Sequence, residues 1–350
     1  MTEIRPFERT DLKAVIALLE ARLHWWTHDE SFLAQTLIDS PWADPELPSL
    51  VAVDDQGDIL GFIGAQVRRL RFDDRELRGV CCAHLTVAAD RGAGPAGALL
   101  LRRLLSGGQD LTWTDSPTEG VVRMWRAFGG HLDHPRSCDW MLVLKPVRWA
   151  GGIVAAMARR APMREALPVA ALPVQASGRR FVPRAFPPPP PEVRGEDATA
   201  ATIVAELPAL TRGLRLRIDY DQPYLEGLLA EVGAVMGSVV TRLVRRDQNP
   251  VGWYCYLARP GGASRVLHLC APEPEVETVV SELTEHARAG GSAALTGRLE
   301  PHLEGPLRRR LAVIGFARQP VIHVRDPEVQ AVLATSSSLL THLDGEWYVT

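Results

Sequence analysis

The chain has 350 residues, 46% hydrophobic and 23% charged, with a formal net charge of −3. At roughly 150 residues per domain this suggests two domains with sizeable cores, and it excludes wholesale disorder. The slightly acidic balance argues against a general nucleic-acid binder, and no run of about 18 apolar residues is present to span a membrane. The polar start, MTEIRPFERTD, does not read as a secretory signal. Cys81, Cys82, Cys138, Cys255 and Cys270 are odd in number and unpatterned, so no disulfide framework is expected and the cytoplasm fits best.

Along the chain, residues 3–7 read as a short strand, and Thr10 with Asp11 caps a helix over 12–22, followed by a second helical stretch. Residues 49–54 and 59–71 form a hairpin about the turn 55–58, and a further turn leads into a strand over 77–87. A loop, 88–94, opens an apolar helix over 95–105, followed by a strand at 110–114, a helix at 118–128 and a strand at 140–146. Residues 148–196 are rich in Ala, Pro and Arg and contain five prolines at 187–191, a stiff polyproline spacer; 149–160 within it reads as a short helix bridging two domains. Beyond it come helices at 198–210 and 222–232, a hairpin of 239–246 with 251–258, and a strand at 265–270. A helix at 276–289, a strand at 293–297, a helix at 305–314 and strands near 321–324 and 346–349 complete the chain. The element order of the first half returns, so the chain reads as a diverged duplication: domains over 1–147 and 197–350 joined by a linker over 148–196.

The most informative segment is HLTVAADRGAGPAGALLL, residues 84–101. A strand ending at Val87 runs through Arg91, Gly92, Ala93, Gly94, Pro95, Ala96 and Gly97 into a helix. A helix N-terminus offers unpaired N–H groups and the positive end of the dipole, and small residues let a phosphate approach. The segment is no P-loop, since G-x-x-x-x-G-K-[ST] is absent, and no acidic residue closes a strand where a dinucleotide fold needs one.

This segment resembles the acyl-CoA signature [QR]-x-x-G-x-[GA] of the GNAT N-acyltransferase superfamily, with Arg91, Gly94 and Ala96 in the three signature positions and a Leu-Leu pair beyond. The flanking element order over 1–147 fits the same family. The second half looks like a further GNAT-like domain, but its junction, Cys270-Ala271-Pro272-Glu273-Pro274, lacks the signature and is expected not to bind CoA. The resemblance implies an α/β fold of two tandem GNAT-like domains, each a mixed, mostly antiparallel twisted sheet flanked by helices. It implies acetyl-CoA or another acyl-CoA as co-substrate, with its pyrophosphate on residues 91–97 and its pantetheine arm along the strand ending at Val87. The acyl carbonyl would lie where that strand parts from 110–114, polarised by a backbone N–H near Leu85. An amine of a small molecule is the implied acceptor. Two departures are visible: Pro95 removes one N–H from the cradle, and Trp125 stands where the family commonly places a tyrosine that protonates the thiolate.

Candidate catalytic residues are His84 and Cys81 on the strand, and Asp115 and Glu119 beyond the next one. Strict alternation puts Cys81, Ala83, Leu85 and Val87 on one face and His84 on the other. Trp25, Trp26 and His28, in the region that walls the acceptor pocket in GNATs, and Trp125 are candidate substrate contacts. Each has a plainer reading: core packing for His84, Cys81 and the tryptophans, and solvated helix caps for Asp115 and Glu119. Arg308, Arg309 and Arg310 read as a solvated face, and the aromatic C-terminus as tucked in, with Thr350 a candidate visitor to the first active site. No histidine spacing suggests a metal. Two other readings remain open: a catalytically idle CoA-binding scaffold, and an acyltransferase or decarboxylase acting on an acyl carrier protein through Arg68, Arg69 and Arg71.

Overall fold

The computed structural model describes residues 2–24, 26–89, 95–146, 149 and 187–349. β1 (Glu3–Pro6) leads into α1 (Leu12–Arg22), and Asp29 caps α2 (Glu30–Leu37) by accepting the Phe32 N–H at 3.0 Å. β2 (Leu50–Val53), β3 (Ile59–Phe72) and β4 (Arg75–Val87) form an antiparallel meander. α3 (Ala96–Leu105) turns Leu100, Leu101, Leu104 and Leu105 onto the sheet and leaves Arg102 and Arg103 in solvent. Each buried leucine contributes about 1.5–3 kcal/mol, which is what holds this helix down. β5 (Leu111–Thr114), α4 (Glu119–Ala127), β6 (His131–Leu132) and β7 (Cys138–Val143) follow.

The second half supplies β8 (Val193–Asp197), α5 (Ala200–Leu210), β9 (Leu216–Ile218), α6 (Gln222–Met236), β10 (Val239–Arg246), β11 (Asn249–Leu257) and β12 (Ala263–Cys270). α7 (Val276–Ala289), β13 (Ala294–Arg298), α8 (Glu304–Arg309), β14 (Val313–Phe316), β15 (Val321–Val324), α9 (Pro327–Leu333) and β16 (Ser338–Leu339) complete it. β8 lies within the stretch expected as linker. The helix expected over 149–160 lies, beyond Trp149, outside the described residues.

Two sheets result, ordered β1-β2-β3-β4-β5-β15-β6 and β8-β10-β11-β12-β13-β7-β14, with β9 and β16 added beside β3. The second order repeats the first strand for strand, including a parallel pair, β4 with β5 and β12 with β13. The halves exchange a strand. β7, expected to close the first sheet, sits between β13 and β14, while β15 sits between β5 and β6. The pattern of β7 specifies a buried strand but carries no address for the sheet that takes it. The largest core is shared, running from Val15, Leu19 and Phe32 to Leu225, Trp253 and Trp347. Smaller cores lie under α3 and α4 and under α7.

Three local expectations change. Residues 346–349 form a buried turn, not a strand, and the helix expected over 305–314 stops at Arg309 before β14 begins. Arg310 is buried rather than solvated, donating to the Glu277 carboxylate and to Ser281 Oγ at 2.6 Å. Among the described residues no helix is long and apolar enough to cross a membrane.

Candidate functional site

β4 carries a bulge at the centre of the first sheet. Phe62 faces Thr86 and Gly64 faces Ala83, so the single residue Ile63 stands opposite both His84 and Leu85. His84 takes φ +56°, a left-handed conformation rare for a residue with a side chain. The bulge breaks the expected alternation. Cys81 and His84 turn to the α1/α2 side, while Cys82, Leu85 and Val87 pack on the α3 side. Strained, bulged backbone of this kind collects at functional sites.

The parallel ladder between β4 and β5 covers only Gly79–Cys81 against Leu111–Trp113. Beyond Cys81 the two strands part, because β4 stays with β3 while β5 pairs along its length with β15. The edge of β4 from Ala83 to Val87 therefore faces the opening, and α3 begins just past it. Ala96 and Gly97 are buried there, and a Cβ on Gly97 would come within 3.3 Å of Val87 Cγ1. Small residues and an open strand edge fit the extended arm of an acyl thioester.

The wall of this opening comes from distant segments. Trp26 packs edge-on to His84 at 4.9 Å and to His28 at 5.1 Å, and His28 stacks on Phe32 at 4.3 Å. The carboxyl-terminal segment closes the other side, with Tyr348 5.2 Å from His84 and its hydroxyl accepting from Gln66 Nε2 at 3.3 Å. A reciprocal clasp holds that segment. Glu346 Oε2 accepts from the N–H groups of Asp115 and Ser116 at 2.9 and 3.0 Å and from Thr114 Oγ1 at 3.1 Å. Asp115 Oδ2 in turn accepts the Glu346 N–H at 3.1 Å, and its Oδ1 accepts from Arg298 Nη1 at 2.6 Å. Between them stands Gly345, where a Cβ would collide with the Asp115 carboxylate.

Burial sets the protonation states. It pushes His84 down to about 3, so the ring is neutral and a poor base. His28, half-buried, is also lowered by burial and stays neutral near pH 7. Burial raises the Cys81 thiol well above its usual range, which excludes a ready thiolate. Glu346 is pushed up to about 7 by burial and then by Asp115.

The structure thus brings Cys81, His84, Leu85, Trp26 and His28 to one opening. Asp115 reaches it only through Glu346, being wholly buried against Arg298. Glu119 does not reach it: the side chain is exposed and pairs with Arg123 at 2.6 Å. Trp125 is wholly buried in the core under α3 and α4. Arg91, Gly92, Ala93, Gly94, Trp25 and Thr350 lie outside the described residues. Of the basic patch expected for a carrier protein, Arg68 is buried and donates to the Asp344 carbonyl at 2.9 Å, Arg71 is half-buried and pairs with Asp219 at 2.8 Å, and Arg69 stays exposed, 3.5 Å from Asp221. Glu346, Phe32, Gln66 and Arg298 were not singled out from the sequence. Only the glycine before Glu346 hints at a tight approach there.

No family model and no curated protein matches the chain. Solved structures match it over nearly its whole length. A conserved protein of unknown function from Enterococcus faecalis V583 ("Probable N-Acyltransferase") gives a TM-score of 0.62 at 8% identity, covering 96% of this chain and 74% of that one. A GCN5-related N-acetyltransferase from Kribbella flavida gives 0.59 at 12% identity, covering 93% and 72%. The fold is the GNAT fold. Eis1 from Mycobacterium abscessus extends the likeness, with a TM-score of 0.55 at 14% identity over 95% of this chain and 76% of that one. The matched span takes in both sheets, so the chain is two GNAT-like halves in tandem with one strand exchanged each way.

Proposed function

We propose that the first half transfers an acyl group, acetyl in the simplest case, from acyl-CoA to an amine of a small molecule. The observation that carries this reading is the bulged edge of β4, parting from β5 just ahead of the glycine-rich sequence at 91–97. Acyl-CoA supplies an acyl group activated toward amines as a thioester. Arg91, Gly92, Ala93, Gly94, Ala96 and Gly97 hold its pyrophosphate, and the backbone of Leu85 and Val87 holds its arm, the Leu85 N–H donating to the acyl oxygen. His84 and Cys81 shape the opening. Trp25, Trp26 and His28 wall the acceptor pocket, and His28, neutral and nearest solvent, accepts the amine proton. The thiol leaving group, with a pKa of about 8.5 as in free cysteine, needs no tyrosine to depart. All five cysteines are free thiols, in keeping with a reducing cytoplasm.

Calorimetric titration with acetyl-CoA, followed by thiol release over an amine panel, tests the reading. Binding of about −8 kcal/mol, lost in Gly94→Glu, together with turnover on an amine supports it. Binding with no turnover on any amine indicates an idle CoA binder, and no binding by the wild type overturns the assignment.

A further inference from the structure

The second half holds a counterpart of the cleft with a different charge. β12 repeats the irregularity of β4: Cys255 faces His268 and Tyr256 faces Val266, leaving Leu267 as the extra residue. Arg265 stands just ahead of it on the face away from α7, as Cys81 stands ahead of the bulge in β4 on the face away from α3. Around Arg265 lie Asp139 from β7, Arg318 from the loop before β15, and His342 from the turn after β16. Arg318 Nη2 donates to Asp139 Oδ2 at 3.0 Å, and Arg265 Nη2 lies 3.8 Å from the same oxygen. Two guanidinium groups, with side chains 17% and 14% exposed, therefore share one carboxylate.

The remaining donors are not used. Among the described residues Arg265 Nε and Nη2, Arg318 Nη1 and both ring nitrogens of His342 make no hydrogen bond, and the His342 side chain is 1% exposed. Asp139 Oδ1 is also without a donor. Buried donors left unpaired are destabilising, the more so when charged. Nearby Arg298 is fully engaged by Asp115, Glu300 and the Leu340 carbonyl, so it does not absorb the surplus. Burial pulls Arg265 down to about 10, and Arg318, Arg298 and Arg259 oppose its charge further while Asp139 supports it. His342 Nδ1 lies 3.9 Å from Asp115 Oδ2, but Asp115 is already paired with Arg298, which leaves Asp139 as the carboxylate facing both Arg265 and Arg318.

We propose that Arg265, Arg318 and His342 form a binding site for a small oxyanion, a carboxylate or phosphate group, in the place where the first half keeps its acyl-transfer cleft. Asp139, the most exposed of the group with a side chain 28% exposed, marks the side from which the anion enters. The acidic junction of this half, Glu273, Glu275 and Glu277, argues for a small anion rather than a CoA ester.

The test follows the unfolding temperature of the full chain during titration with phosphate, with acetate, and with chloride at matched ionic strength. The proposal expects a saturable rise with phosphate or acetate that chloride does not give, the two arms telling which oxyanion is preferred. Arg265→Gln and Arg318→Gln should each weaken the apparent affinity about tenfold or more. Asp139→Asn, which removes the competing carboxylate, should strengthen it several-fold, and this variant carries the test if an arginine variant fails to fold. Equal effects of all three salts, or an affinity unchanged in the variants, overturns the site.

Discussion

The two halves set the same parallel strand pair beside the same kind of helix and differ most where strand hands over to helix. In the first half β4 runs toward Arg91, Gly92, Ala93 and Gly94 before α3. In the second, β12 runs into Pro272 and a 3-10 turn with Glu273 and Glu275, and Glu277 opens α7. Glu275 pairs with Arg246 at 2.7 Å and Glu277 with Arg309 at 2.7 Å. The positive end of α7 is thus already balanced by side chains of its own, and a phosphate there would meet like charge. Yet both halves keep a glycine where the helix crosses the sheet. A Cβ on Gly61 would come 3.1 Å from Leu100 Cδ1, and one on Gly252 would collide with Val279. Glycines needed for packing persist in both copies, while those suited to holding an anion persist in one.

The largest break in this comparison comes from giving the first junction the charge of the second. Gly94→Glu should lower acetyl-CoA affinity about 1,000-fold, to the limit of calorimetric detection, while the unfolding temperature stays put. Next, Arg298→Met removes the cation that joins the end of β13 to Asp115 beyond β5. Leaving Asp115 and Glu300 buried without it should cost about 3–5 kcal/mol in urea unfolding, and a loss under 1 kcal/mol would show that this cation adds little to the join between the halves.

The clasp ties the carboxyl-terminal segment of the second half to the end of β5 in the first, and pH separates it from the rest. Glu346 titrates at about 7 when folded, above the ordinary value of about 4.3. Its contribution to stability is therefore complete below about pH 4.3 and is lost as pH rises through 7, about 4 kcal/mol in all. Glu346→Gln should flatten that part of the stability profile relative to wild type, and parallel profiles would disprove the clasp's titration. A smaller effect follows for His28→Gln, which should lower kcat about 100-fold with acetyl-CoA affinity unchanged and remove the acid limb of the rate profile. Smallest of all, Glu119→Gln should leave both turnover and stability within error, because its ion pair is exposed.

Local features of the fold were legible in the sequence. The leucine spacing of α3, the long hairpin of β3 and β4, and the return of the element order after the prolines all follow from short-range pattern. Pairings between distant segments were not. Nothing in the six residues of β7 says that they pair with β13, because alternation names a face and not a neighbour. The bulge at His84 was hidden for a related reason: alternation was carried unbroken through a position where one extra residue reverses it. Arg68, Arg310 and Asp115 mislead in a third way. Charged letters read as surface, and only the partners brought from far along the chain let them be buried. The candidate site was therefore visible as a strand-to-helix junction, while its wall from the carboxyl-terminal segment was not.

The strand exchange bears on how the protein is made. β5 and β6 leave the ribosome with the place between them unfilled, and Leu132 waits for Val321 before its pairing can form. Such long-range closure is slow and leaves strand edges open to wrong partners meanwhile. The mirror contact, β7 against β13, ties the nascent first half to residues not yet synthesised. A cut at the proline connector would leave two fragments, each lacking a strand from inside its own sheet. The unit that folds is therefore the pair, because neither half completes its sheet without a strand from the other.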